Sequence, residues 1–571
     1  MTEFYPPGDP LPYIPDDLTV AQFMLDAYHA SRPAPQSLMP WLIEDTTGRK
    51  IGYDEIRART FGLANAFKSR WNLGDDDVVC LLSQNNVDWP VVVWAAHRVG
   101  AIVSPVNPAY TVDELTHALR LSDASLIVVH SESLPVALVA AKAVGISPDR
   151  VVTIDSPAAP AQAHLSVEQL IASGLSSKAS FTERQLNPGE AKTKIAFLCF
   201  SSGTTGPPKA VAASHYALIA NVLQVRTAIM KAPRVEVGDV VHGVLPFFHV
   251  FGFIVVLHTH LWFGNTIVVV PKFTFEGFLS SIQRYHIKQL HIVPPVALLL
   301  AKHPLTKKYD LTSVRYIMCG AAPLSAELTM QLSKVLPDAH IGQGYGMTET
   351  FTTIAVSTHE QKIAPPGSAG VLVPGMIARV VKPDGSLAKE GETGELVVTG
   401  PSMALGYYKN PQATKETFVD GWVRTGDEVL INEKREIYIK DRIKEIMKVR
   451  GFQVAPAELE GFLLDHPDVA DVCVVGVPDE YSGELPLAFV VPNEAARARI
   501  QKDGAESARI KAALAKFVAD AKVEYKRLTG GVEFVDVIPK NPSGKLLRRV
   551  LREQAVALRK QKPLAPFAVK L

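Results

Sequence analysis

The string Phe200-Ser-Ser-Gly-Thr-Thr-Gly-Pro-Pro-Lys-Ala-Val211 gathers small hydroxyl residues, glycines and one lysine behind an apolar run. Glycines such as Gly203 let backbone N–H groups turn inward. Ser201, Ser202, Thr204 and Thr205 add hydroxyl donors, and Lys209 adds charge. Such a cradle suits a polyphosphate. It is not a Walker A loop, which needs Gly-Lys followed by Ser or Thr. Here Gly206 is followed by two prolines, and Ala210 follows Lys209. Alone, the same string also describes a flexible surface loop, so the rest of the chain must decide.

Further groups with chemical capacity follow. Gln343-Gly-Tyr-Gly-Met-Thr-Glu349 joins a glycine turn to a hydroxyl and a carboxylate. Thr348 can hold a phosphate, and Glu349 can hold Mg2+ bridging phosphate oxygens; a capping turn is the plainer reading. Asp427, after Thr425-Gly426, can accept from two vicinal ribose hydroxyls, or simply cap a turn. Gly320-Ala-Ala322 is small enough for a flat base to lie against the backbone. The Arg442 guanidinium can bridge ribose and phosphate. His249, among Phe247, Phe248, Val250 and Phe251, reads equally as a packed core residue. Lys545 is one basic residue among many in its segment.

Taken in order, these strings resemble the motifs of the adenylate-forming superfamily, which includes acyl-CoA synthetases, 4-coumarate–CoA ligases, luciferases and peptide-synthetase adenylation domains. Leu245-Pro-Phe-Phe-His-Val-Phe-Gly252, Gly320-Ala-Ala-Pro-Leu324, Trp422-Val-Arg-Thr-Gly-Asp427, the basic segment from Asp441 to Pro456, and Pro539-Lys-Asn-Pro-Ser-Gly-Lys545 complete the set. The likeness spans roughly residues 20–560 and is greatest to the 4-coumarate–CoA ligase and fungal acyl-CoA ligase branch.

The resemblance implies ATP, Mg2+ and coenzyme A, a small-molecule carboxylic acid, and two steps through an acyl-adenylate. It puts the 201–209 loop on the polyphosphate. It puts Gly320, Ala321, Ala322, Gln343, Gly344 and Tyr345 around the nucleotide. Thr348 takes the α-phosphate, Glu349 the metal and Asp427 the ribose, with Arg442, Lys444 and Lys448 nearby. Lys545 reaches both carboxylate and α-phosphate. Lys272, Arg450 and Gly451 meet coenzyme A, although many relatives carry Lys at the Arg450 position. The acyl pocket is lined by Phe251, Met318, Cys319, Gly344, Thr352 and Thr353, with His249 at its mouth. Plant enzymes commonly have Lys at the Met318 position and Tyr at the Phe251 position. Both are apolar here, so a hydrophobic acid is expected, either medium-chain or non-hydroxylated aryl. The alternatives are a standalone adenylation enzyme serving a carrier protein and a luciferase-like oxidase. A non-catalytic nucleotide-binding protein would be expected to lack Lys545, Glu349 or the loop, and all are present.

These residues need a scaffold, and 571 residues are too many for one core, so at least two domains are expected. Apolar runs at 78–82, 101–106, 126–130, 151–154, 195–200, 240–245, 266–270 and 289–293 read as buried strands. Helical periods at 53–70, 89–99 and 112–121 lie between several of them, which predicts α/β layering with a largely parallel sheet. After about residue 395 the runs shorten, at 395–400, 422–427, 428–432 and 437–441. A smaller α+β pattern follows, with helices at 457–465, within 505–523 and at 545–560, and strands at 469–477, 487–491 and 532–537. The expected division is a large layered α/β domain, 1–440, and a small mobile α+β domain, 441–571, hinged near Asp441. The apolar stretch 244–270 carries three histidines, an asparagine and a proline, so it is read as core and not as a membrane span.

Charge balances at 59 Lys+Arg against 58 Asp+Glu, which gives no whole-chain grip on nucleic acid or anionic membrane. Cys80, Cys199, Cys319 and Cys473 lie too far apart for a zinc or dithiol motif, and are expected buried and reduced. Residues 1–15 lack a secretory pattern. Val569-Lys570-Leu571 is an imperfect match to the peroxisomal Ser-Lys-Leu address. A cytoplasmic monomer or homodimer is expected, with the peroxisome as second choice.

Overall fold

The computed structural model describes residues 2–33, 39–155, 164–201, 208–229, 235–357, 362–450, 452–479, 482–541 and 544–561. Two large sheets form the scaffold. In the seven-stranded sheet, Val151–Thr153, Ala124–Val129, Val78–Leu82, Ile102–Val106 and Ile195–Ser201 run parallel. Lys209–Ser214 and Gly406–Tyr407 then close the edge antiparallel. The nine-stranded sheet has a parallel centre of His340–Met347, Tyr316–Cys319, Gln289–Ile292, Val240–Gly243, Thr266–Val269 and Leu42–Glu44. Both read as near-continuous apolar runs because helices cover both faces. Helices Tyr53–Trp71 and Val167–Ser176 meet at two glycines; a Cβ on Gly174 would stand 1.8 Å from the Gly62 carbonyl oxygen.

A third, antiparallel sheet holds Ile377–Val381, Thr393–Thr399, Trp422–Ile431, Phe418–Val419 and Ile437–Arg442. The expected pair of strands at 422–427 and 428–432 is one strand. Thr425-Gly426-Asp427 reads as a turn, but Gly426, at φ +72°, is accommodated within a continuous strand. The expected boundary at Asp441 falls within the last strand, whose pairing with Trp422–Ile431 continues to Asp427↔Arg442. The apolar cluster of the final unit starts at Met447. That unit has its own five-stranded sheet, built on Val469–Asp479 and Gly483–Pro492, with helices Pro456–Leu463, Gly504–Ala521 and Arg548–Gln561.

The 244–270 stretch is core, as read from sequence, but its main element is a π-helix, Phe251–Thr259. Thr259 Oγ1 donates to the Ile254 carbonyl, five residues back, at 3.0 Å. Gly252 starts this helix against the preceding turn, where a Cβ would meet Pro246 O at 2.3 Å. Among the described residues, no helix is long and apolar enough to cross a membrane. All four cysteines are free and buried.

The core also buries histidines. Burial lowers His97, His242 and His260 to about 3 and His258 to about 4. Each ring is neutral when folded and takes a proton on unfolding below about pH 6.5. Stability from these rings is therefore present above pH 6.5 and is lost as pH falls towards 4. Carboxyls such as Asp88 and Glu460, raised by burial against the pull of Arg59 and Arg548, take up protons more readily folded than unfolded, which opposes part of this. We predict an unfolding free energy, measured by denaturant titration, that falls continuously from pH 7 to pH 5, with a slope exceeding one proton's ~1.4 kcal/mol per pH unit. A flat profile would contradict the neutral histidine core.

Candidate active site

Strands Tyr316–Cys319 and His340–Met347 of the nine-stranded sheet deliver their C-terminal ends to one cleft, as open α/β sheets do. There a cavity of about 480 Å³ lies between the large unit and the loop carrying Lys545. This volume suits a small-molecule site.

One end of the cavity is polar. Ser201 and Lys209 line it from the sides of the 201–209 loop, and Lys209 Nζ stands 4.8 Å over the Tyr407 ring. Ser202, Gly203, Thr204 and Thr205 lie outside the described residues. Strand His340–Met347 ends in the short turn Thr348–Thr350, which presents Thr348 and Glu349 to the cavity. The Tyr407 hydroxyl donates to Glu349 Oε1 at 2.7 Å. Tyr407 had no signal in the sequence, because its partner lies 58 residues away. No group of three His, Cys, Asp or Glu that could hold a metal occurs among the described residues. Glu349 alone fits Mg2+ held mainly by substrate phosphates and water, since that ion takes few protein ligands.

Beside it, Asp427 is only 3% exposed and both of its oxygens are engaged. Arg442 Nε meets Oδ1 at 2.7 Å, and the Tyr345 hydroxyl donates to Oδ2 at 2.6 Å. Burial raises the Asp427 pKa, against the pull of Arg442 and Tyr345. Lys545, half-buried, faces this pair; burial and then the Arg442 charge lower its pKa, while Glu445 and Asp427 oppose them. Its loop is fixed from behind. The Lys545 N–H donates to Asn541 Oδ1 at 2.8 Å, and Arg548 bridges Glu445 at 2.9 Å and Glu460 at 2.5 Å. Lys444 lines the cavity as well.

Gly320 and Ala321 line this cavity; Ala321 and Ala322 also face an adjoining one of about 280 Å³. Ala321 holds φ +69°, an uncommon backbone conformation for a residue with a Cβ. Gln343 acts on this loop indirectly. It accepts from the Leu324 N–H at 2.7 Å and donates to the Ser368 carbonyl at 2.9 Å, so its amide pins the loop.

The other end is apolar. Phe251, Met318, Gly344, Thr352 and Thr353 line it, with His249 between the two ends. Burial, and then the charge on Lys545, lower His249 to about 4, so the ring is neutral near pH 7. Cys319 is a correction: it is fully buried and does not line the cavity. Met318 and Cys319 are neighbours on one strand, so their side chains point to opposite faces. Val250 and Val255 take part instead. Val255 escaped the sequence reading because the π-helix has no period to read.

Three expected coenzyme A or nucleotide contacts stand apart from both cavities in this domain orientation. Lys448 is exposed on the hairpin Met447–Val449/Phe452–Val454. Arg450 pairs with Glu524 at 2.9 Å, and Lys272 is exposed. Gly451 lies outside the described residues.

The chain matches the AMP-binding enzyme family over residues 29–408 and the AMP-binding enzyme C-terminal domain over residues 458–545. It is 36% identical over 558 residues to 4-coumarate–CoA ligase 2 of Oryza sativa subsp. japonica, covering 95% of this chain and 94% of that one. It is 36% identical over 569 residues to acyl-CoA ligase AFT1-1 of Alternaria alternata, covering 96% of each. The ATP-bound structure of MatB from Rhodopseudomonas palustris superposes with a TM-score of 0.79 at 26% identity, covering 95% of this chain and all of that one. The polar and apolar halves of the cleft thus sit in a chain that belongs to the AMP-binding enzymes of the adenylate-forming superfamily, in their acyl-CoA synthetase and 4-coumarate–CoA ligase-like branch of acid–thiol ligases.

Proposed function

We propose that the protein joins a hydrophobic monocarboxylic acid to coenzyme A at the expense of ATP. The observation that carries this reading is that Lys545 lines the same cavity as Lys209, Thr348 and Glu349 and as Phe251 and Met318, close enough for its charge to act on His249 and to feel Asp427. A carboxylate and a phosphate repel each other, and an ammonium beside both lowers that repulsion as they react.

In the first step a carboxylate oxygen attacks the α-phosphorus of ATP, and pyrophosphate leaves. Lys209 and the 201–205 loop hold the polyphosphate, and Thr348 the α-phosphate. Mg2+ on Glu349 would neutralise phosphate charge. Asp427 accepts from the ribose hydroxyls; its engaged oxygens each keep lone-pair capacity. Arg442 and Lys444 add charge beside them, and the Gln343 amide keeps the 320–322 loop open for adenine. In the second step the coenzyme A sulfur attacks the acyl carbonyl and AMP leaves, with His249 at the mouth of the acyl pocket. No protein nucleophile is needed; the chain supplies position and charge.

The two steps use different faces of the small domain, exchanged by rotation about Asp441. Support comes from Lys545 lying in the cavity while Lys448 and Arg450 stand outside it. Rotation brings Lys448, Arg450 and Gly451 towards the thiol, with Lys272 meeting its phosphates. Lys545→Ala is expected to slow pyrophosphate release about 100-fold or more and to spare thioester formation from supplied acyl-adenylate. Lys448→Ala is expected to slow mainly the second step. Normal adenylation by Lys545→Ala would overturn the assignment.

The apolar lining supports a non-hydroxylated aryl ring or an aliphatic chain. Accepting an unpaired hydroxyl there costs about 1–3 kcal/mol. In a panel scored by kcat/KM, cinnamate and hexanoate are expected to exceed 4-coumarate. Met318→Lys is expected to move selectivity towards phenolic acids. A clear preference of the unaltered enzyme for 4-coumarate would contradict this reading.

A further inference from the structure

Behind the apolar end of the cavity lies a buried polar chain whose proton positions can be deduced. The Asp239 N–H donates to Asn265 Oδ1 at 3.2 Å, which fixes the orientation of that amide. Asn265 Nδ2 therefore donates to His260 Nδ1, 3.0 Å away. A His260 ring that accepts at Nδ1 carries its proton on Nε2. That proton is given to His291 Nε2, at 2.6 Å. His291 must then carry its own proton on Nδ1. Among the described residues this N–H has no acceptor, although His291 is fully buried.

His291 lies directly behind two residues of the acyl pocket. It pairs in register with Met318 on the neighbouring parallel strand, so both side chains leave the same face of the sheet. The Phe251 ring stands edge-on to it, at 6.1 Å and 89°. His291 itself lines neither cavity; Met318, its neighbour in register, does, with its thioether over Gly344, where a Cβ would lie 3.1 Å from Sδ. Methionine has three soft torsions and can swing aside for a bound chain.

We propose that His291 is a specificity determinant. The preferred acid is mostly hydrophobic but carries, at the depth of Met318 and Phe251, a hydrogen-bond acceptor without a hydrogen of its own, such as a carbonyl or ether oxygen. This deepens the acid-activating reading above and rests on it. A buried donor left unpaired is costly, and a site built around one discriminates strongly against ligands that cannot accept. A hydroxyl gains less, because its own hydrogen would be left unpaired against Met318 and Phe251.

The test is a scan of straight-chain acids of equal length, each with one methylene replaced by a carbonyl or an ether oxygen, scored as the kcat/KM ratio to the unmodified parent. One position is expected to stand out by about tenfold or more. In His291→Leu that ratio falls to about one, whatever the absolute rate. His260→Leu/His291→Leu, which removes both ring partners, gives the same loss if the single variant folds poorly. A scan of the unaltered enzyme with no favoured position overturns the proposal by itself, and so does a preference that survives the variants. If neither the parent acids nor their analogues release pyrophosphate, the ligase reading fails instead.

Discussion

The ion pair between Asp427 and Arg442, at 2.7 Å, is the contact on which the cleft turns. The two residues are partners on adjacent strands, at the last rung before the chain leaves the large unit. Tyr345 adds a hydrogen bond from the nine-stranded sheet. One carboxylate therefore ties together the third sheet, the second sheet and the start of the final unit. Burial opposes its ionisation, and the guanidinium opposes that effect. Such a pair is weak evidence for stability, but removing either partner would strand a buried charge. Its role here is to fix where two strands end and where the chain begins to turn.

Everything else in the cleft is placed relative to that point. Lys545 reaches it from the far end of the small unit, held by Asn541 and backed by the Arg548 bridge to Glu445 and Glu460. On the other side, Tyr407 joins Lys209 to Glu349 through its ring and its hydroxyl. In the polar half both carboxylates are thus already held, Asp427 by Arg442 and Tyr345 and Glu349 by the Tyr407 hydroxyl. The apolar half is held more simply, by a strand, a π-helix and the turn at Gly252. A preorganised polar half costs little reorganisation when charge shifts during reaction.

Much of this was legible in the sequence. The eight apolar runs between turn residues all fall on parallel strands of the two large sheets, because strands buried on both faces need no alternation, but Leu42–Glu44, Tyr316–Cys319 and the glycine-rich His340–Met347 gave no such run. The Ser-Ser-Gly-Thr-Thr-Gly string and the Thr348–Glu349 pair stand out by residue type and order, whereas Asp427 and Lys545 stand out only through the resemblance to the family's motifs. What composition hid was direction and distance. Met318 and Cys319 are adjacent, so a strand cannot turn both into one pocket, and the alternation could have been applied in advance. Val255 depended on a π-helix, which leaves no pattern in a uniformly apolar stretch. Tyr407 and Glu349 meet only through the folded edge of a sheet. Lys448 and Arg450 stand outside both cavities on the small unit, and Lys272 stands outside them on the large one, which residue type and order alone do not reveal.

In the proposed reaction the carboxylate oxygen of the acid bonds to the α-phosphorus before any thioester forms. Turnover of an acid labelled with 18O in its carboxylate, with mass analysis of the nucleotide product, tests it directly. One labelled oxygen is expected in AMP and none in pyrophosphate, because the attacking oxygen stays on phosphorus when the sulfur displaces AMP. Label in inorganic phosphate, with ADP as the nucleotide product, would show attack at the γ-phosphorus and contradict it.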